Sequence, residues 1–140
     1  MVYNYNKIDY IIILYNNIIN INMKTEILFL QGLNREITFY IGQNSNENFD
    51  VIDKGKDDDL WFHANNISSC HVVADIPYDI SKKDIKYIIR AGSMLCKNNT
   101  NKLKNLRNIE IIYTQIKNIE KTNIPGCVVI INNNKKIINI

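Results

Sequence analysis

The chain has 140 residues, 46% hydrophobic and 22% charged, which suits one soluble domain and is too little for two. Its three Cys form no CxxC pair and no Cys/His ligand spacing, which argues against a disulfide framework or structural zinc site. Reduced, buried thiols are expected instead, in a cytoplasmic protein.

The net charge of +3 is modest but unevenly placed. Ser81–Arg107 holds eight bases and one acid, whereas Glu36–Asp59 holds seven acids and two bases. One side of the molecule is therefore expected to face a polyanion and another to be merely solvated. Ile and Asn are over-represented, at 28 and 23 residues, a bias that AT-rich coding sequence produces. That bias lowers the weight of any single Asn.

Residues 1–22 stand apart. Tyr10–Ile21 is apolar except for Asn16, Asn17 and Asn20, and its uninterrupted part, Tyr10–Tyr15, is far shorter than the roughly 20 residues of a membrane span. A signal peptide's basic start and small-residue cleavage site are not clear, and no membrane association is expected. Met1–Asn22 reads as an upstream extension, a start codon placed too early, or an extra helix or strand. The domain is expected to occupy residues 23–140.

Glu26–Leu30 and Glu36–Ile41 flank Gly32 and Asn34 and read as a hairpin. Asn44–Lys54 reads as a short helix, with cap candidates Asn44, Ser45 and Asn46. After Pro77 comes the clearest helix, with a capping-box pattern at Ser81 and Asp84. At about 100° per residue, Ile85, Ile88, Ile89, Gly92, Leu95 and Cys96 share one stripe. Lys82, Lys83, Lys86, Arg90 and Lys97 share the stripe beside it, and the loop Asn98–Arg107 adds Lys102, Lys104 and Arg107. Ile109–Tyr113 reads as a strand, and Thr114–Lys121 as a helical turn or connection. Pro125 and Gly126 mark a turn, and Cys127–Ile131 with Lys136–Ile140 is expected as a closing hairpin. Strands outnumber helices and join mostly by hairpins. The expected fold is α+β, a largely antiparallel sheet of about six to seven strands with two main helices packed on it.

Between the two helices lies the stretch Asp57–Asp75, with the only Trp and both His of the chain. Leu60–Ala64 and Cys70–Ala74 read as strands around a polar loop centred on Ile67. That register pairs His63 with His71 and Trp61 with Val73. Leu60, Phe62, Ala64, Cys70, Val72 and Ala74 then form a core face. Trp61, His63, His71 and Val73 form the other, which is expected to be exposed.

Such a face suits three roles. Stacking on Trp61 and contacts from His63 and His71, with phosphate attraction from Lys82, Lys86, Arg90, Lys97, Lys102, Lys104 and Arg107, suit a nucleic acid. A Trp61 hot spot suits docking on a ribosomal or translation-factor protein. His63 and His71 could serve a metal-dependent hydrolase, but no third ligand lies at a natural spacing, and no nucleophile elbow, phosphate loop or HExxH motif is present. No catalytic residue, metal or cofactor is assigned.

Several segments together resemble a known family. Tyr40–Asn44 with Asn46–Asn48, Asp59–His63, Ser69–Val73, Ala91–Ser93, Glu110–Thr114 and Ile124–Gly126 are similar in order and spacing to the NFACT-R domain. This module lies in the C-terminal part of the ribosome-quality-control NFACT factors, and the similarity covers about Lys24 to Ile140. The resemblance implies a non-catalytic RNA-binding module, for tRNA or rRNA and associated with the ribosome, with DNA as the alternative polyanion. Asp59, Trp61, Phe62, His63 and His71 match its motif. Ser68, Ser69 and Cys70 stand where the family often has Pro-Gly before the second His. The family's tRNA-handling N-terminal domain and helical arms have no counterpart here, so tail addition to stalled peptides is not implied, only a stand-alone module. The sequence sets no oligomeric state.

Overall fold

Alternation of apolar residues with a period of two builds most of the chain into strands, and two stretches of helical period cross between them. The computed structural model describes residues 23–140; the expectations for Met1–Asn22 lie outside them. The elements are β1 (Lys24–Leu30), β2 (Arg35–Gly42), α1 (Ser45–Lys54), β3 (Leu60–Ala64), β4 (His71–Ala74), α2 (Ile85–Asn98), β5 (Glu110–Gln115), β6 (Ile119–Lys121), β7 (Val128–Ile130) and β8 (Lys136–Asn139). Six strands form one antiparallel sheet in the order β1-β2-β4-β3-β5-β8, and β6 and β7 form a separate ribbon. The fold class is α+β, as expected.

The β3–β4 hairpin has the expected register: Leu60, Trp61 and Phe62 lie opposite Ala74, Val73 and Val72. It occupies the middle of the sheet, with β2 beside β4 and β5 beside β3. One face carries Phe39, Phe62, Val72 and Ile111 and packs against Ile88, Leu95 and Cys96 of α2. Gly92 lets that helix approach, because a Cβ there would lie 2.4 Å from the Phe62 ring.

The opposite face corrects an expectation. Trp61 and Val73 are not exposed; they pack with Val51 and Ile52 of α1, Ile112 and Ile116, and with Val128 and Ile130 of the ribbon. Trp61 is 2% exposed. The sheet is covered on both faces, and the polar linkers around Ile116–Lys121 hid the second cover from a reading of local pattern.

Three boundaries also differ. The second helix starts at Ile85 rather than Ser81, with Asp84 at its N-cap and no side-chain cap bond; Ser81–Asp84 is a turn. The connection after β5 is a 3-10 turn at Ile116–Asn118 followed by a strand. β7 and β8 do not pair with each other: β7 joins β6, and β8 joins β5 at the sheet edge. The turn at Pro125 and Gly126 thus joins β6 to β7, while β5 and β8 are too separated in sequence to leave a local turn signal.

Candidate nucleic-acid interface

The motif residues divide into braces and a cleft. Asp59, 1% exposed, is a brace at the start of β3. Its carboxylate accepts the backbone N–H groups of Lys56 (2.7 Å) and Ile76 (2.8 Å), and the Lys56 ammonium lies 3.1 Å from Oδ1. A buried carboxylate is tolerable only with such partners. Asp59 thus ties the entry to β3 to the exit from β4.

Trp61 donates its indole N–H to His71 Nδ1 at 3.1 Å, with the rings edge to face. The Trp61 and His63 rings lie parallel with centroids 5.6 Å apart, and His63 meets His71 edge to face at 5.0 Å. The expected His63–His71 neighbourhood is therefore present. His71, however, is only 2% exposed, and His63 is half-buried. Lying parallel to the His63 ring and 2% exposed, the Trp61 ring offers no open face for a base to stack on, which corrects that role.

Hydrogen bonding fixes both tautomers. An indole N–H only donates, so His71 Nδ1 is bare and its proton sits on Nε2. Burial, with His63 alongside, pushes the His71 pKa down to about 3, so the ring is neutral. His63 Nδ1 lies 2.7 Å from the Ala64 carbonyl oxygen, which only accepts, so the proton is on Nδ1 and Nε2 is bare. Burial lowers the His63 pKa, the Ala64 carbonyl opposes this, and the charge of Lys102 lowers it further.

Asn48 entered the sequence reading only as part of a matching segment, with no role assigned. It is 9% exposed, and its Oδ1 accepts the His71 backbone N–H at 3.1 Å. Gly42 leaves room for it, since a Cβ there would lie 2.4 Å from that oxygen. Asn44 caps the same helix by accepting from Glu47 N, while Gln43 N donates to the Glu47 carboxylate, a reciprocal box. The signal for Asn48 was its place one turn inside this box; the general excess of Asn concealed it.

Over the two imidazoles lies a cleft of about 460 Å³. Its walls come from the first turn of α1, the β3–β4 loop at Ser68 and Ser69, and the turn Pro125–Val128. In that turn Cys127 N donates to Ile124 O, and Gly126 has φ 79, the left-handed value its third position needs. Ser69 shapes the loop, accepting from Ala64 N and donating to Cys70 O. Among the described residues, no group of three His, Cys, Asp or Glu could hold a metal ion.

The predicted cations lie elsewhere. Lys82, Lys86, Arg90, Lys102, Lys104 and Arg107 are exposed and Lys97 partly so. α2 packs on the Phe62 face, so its basic stripe and the Trp61 face lie on opposite sides of the sheet. The following loop bridges them. Leu103, 1% exposed, anchors it, and Thr100 Oγ1 accepts Cys70 N at 3.1 Å. This places Lys102 close enough to His63 for its charge to act there. Cys70 and Cys96 are free and buried beneath the loop.

With this arrangement the chain belongs to a family of nucleic-acid-binding modules: residues 27–131 match the model of the NFACT protein RNA binding domain. Among curated relatives, coiled-coil domain-containing protein 25 of Danio rerio is 37% identical over 86 residues, covering 61% of this chain and 42% of that protein. The Mus musculus protein of the same name is 33% identical over 95 residues, covering 61% and 41%. The Dictyostelium discoideum homolog is 31% identical over 97 residues, covering 69% and 47%. The chain thus spans less than half the length of these relatives. The fold is also that of the C-terminal part of the fibronectin/fibrinogen-binding protein from Streptococcus suis, with a TM-score of 0.64 at 21% identity, covering 74% of this chain and 41% of that one.

Proposed function

We propose that residues 23–140 act as a non-catalytic RNA-binding module that grips the phosphate backbone of tRNA or rRNA, in the cytoplasm and at the ribosome, through α2 and the loop after it. The observation that carries this reading is the state of the bases. Among the described residues, Lys24, Arg35, Lys56, Lys117 and Lys121 are held in ion pairs with neighbouring acids. None of the eight bases between Ser81 and Arg107 is in one with another described residue. Unpaired cations in one continuous run repel each other mildly and are satisfied by an external polyanion.

Docking on a protein loses its anchor with Trp61 buried, so RNA is the favoured partner. The test is binding of labelled tRNA, rRNA fragments and duplex DNA at low salt. RNA is expected to bind, and Lys86→Glu, Arg90→Glu and Lys102→Glu together are expected to abolish binding with an unchanged melting temperature. Unaltered binding by the triple variant would remove this surface, no RNA binding by the wild type would end the RNA reading, and stronger binding of DNA would redirect it.

A further inference from the structure

We propose that the cleft above His63 and His71 receives one unstacked nucleobase of the bound RNA strand and reads its hydrogen-bonding edge. This rests on the RNA reading above and gives it a second contact of a different kind.

The chemistry of the cleft selects the occupant. Among the described residues, no Lys, Arg, Asp or Glu lines it. Neither imidazole adds a positive charge for a phosphate there, because burial lowers the pKa of both. The cleft thus offers no side-chain cation to the charged backbone that the basic loop attracts. It offers instead a fixed donor, His71 Nε2–H, and a fixed acceptor, His63 Nε2. Among the described residues neither nitrogen has a partner, and no fully enclosed side-chain nitrogen or oxygen there lacks one. Both nitrogens therefore open on the cleft, although His71 as a whole is 98% enclosed by its neighbours, being 2% exposed.

A neutral donor beside a neutral acceptor is the complement of a base edge, where an acceptor and an N–H donor adjoin. Ile112, Val128 and Ile130 supply apolar walls for the faces of a flat ring. The volume of about 460 Å³ lies within the roughly 300–1,000 Å³ of small-ligand sites. Proteins that read single-stranded RNA splay bases out of the stack, pack their faces and hydrogen-bond their edges. Lys102 brings the two features together, since it belongs to the basic loop and acts on His63.

The experiment compares a single-stranded RNA of about ten nucleotides with a strand of equal length and charge that lacks all its bases. Wild-type protein is expected to bind the intact strand about tenfold more tightly, within the range of one well-held base. That ratio should fall to about one in His63→Phe, and in Cys127→Trp, which plugs the rim with an exposed side chain and leaves the imidazoles alone. Both variants should keep weak binding of the baseless strand.

Equal binding of the two strands by wild type overturns the pocket and leaves the phosphate surface standing. A ratio unchanged in both variants does the same. Failure of wild type to bind either strand overturns the RNA reading itself. Free nucleoside monophosphates form the remaining arm: displacement of the intact strand at concentrations near that strand's own Kd would make the cleft a mononucleotide site and overturn presentation by a strand.

Discussion

At the scale of single residues, the family motif works from within. Asp59 satisfies two backbone N–H groups, Trp61 locks the His71 tautomer, and His71 uses its own backbone N–H to hold Asn48. A buried neutral His makes stability depend on pH with a definite sign. The His71 pKa falls from 6.5 to about 3 on folding, so between these values the unfolded chain binds the extra proton. Its contribution is complete above 6.5 and is lost as pH falls toward the folded value. Going from about pH 7 to about pH 5 should therefore cost about 2 kcal/mol from this residue, with His63 adding in the same direction. In His71→Gln, thermal melting should lose much of this acid sensitivity; an unchanged dependence would mean that other groups set it. The sequence showed which two His were neighbours but not that Trp61 was inside. Alternation tells which residues share a face; it does not tell whether a distant segment covers that face.

At the scale of elements, the central hairpin and α2 were legible because their signals are local. Pairing residues about a short loop fixes register, and a 3.6-residue stripe fixes the face of a helix. The β6–β7 ribbon was not legible although its turn at Pro125 and Gly126 was, because its three-residue strands are too short to show alternation and the first lies in a stretch that reads as a connection. The seat of α2 gives the next prediction. Gly92→Leu gains nearly 1 kcal/mol of helix propensity but must displace the Phe62 ring. That ring is 0% exposed and has nowhere to go. Overpacking at about 1–3 kcal/mol wins, so the denaturant midpoint should fall; a midpoint that rises would show that the helix stands off the sheet.

At the scale of the whole molecule, charge is sorted between regions. The start of β3 and the end of β4 gather Asp57, Asp58, Asp59 and Asp75, where Lys56 and Lys117 sit in ion pairs. The other end of that hairpin meets the basic loop. This sorting was readable from sequence as two blocks of opposite sign, but the arrest of Arg35, Lys117 and Lys121 in ion pairs was not, because Asp79, Asp58 and Asp53 lie far from them along the chain. RNA affinity should therefore vary steeply with salt. For a single strand, log K should fall against log salt with a slope of about −3 to −6, as expected if four to eight phosphates are neutralised at ~0.7 per contact. Removing the Lys86, Arg90 and Lys102 charges should flatten the slope by about 2; a flat wild-type series would show that phosphates do not carry the binding.

The single tryptophan has one more consequence, in optics. It is enclosed, and its indole N–H rests on an imidazole that stays uncharged across the physiological range. Its emission is therefore expected to be that of an enclosed indole, and it lines the cleft while the basic helix lies across the sheet. A molecule entering the cleft perturbs the light directly, whereas one held only on the outer helix leaves it nearly dark to the event. The fold has thus placed a built-in lamp under one surface and not the other, so that the two can be watched separately without attaching any label to the protein.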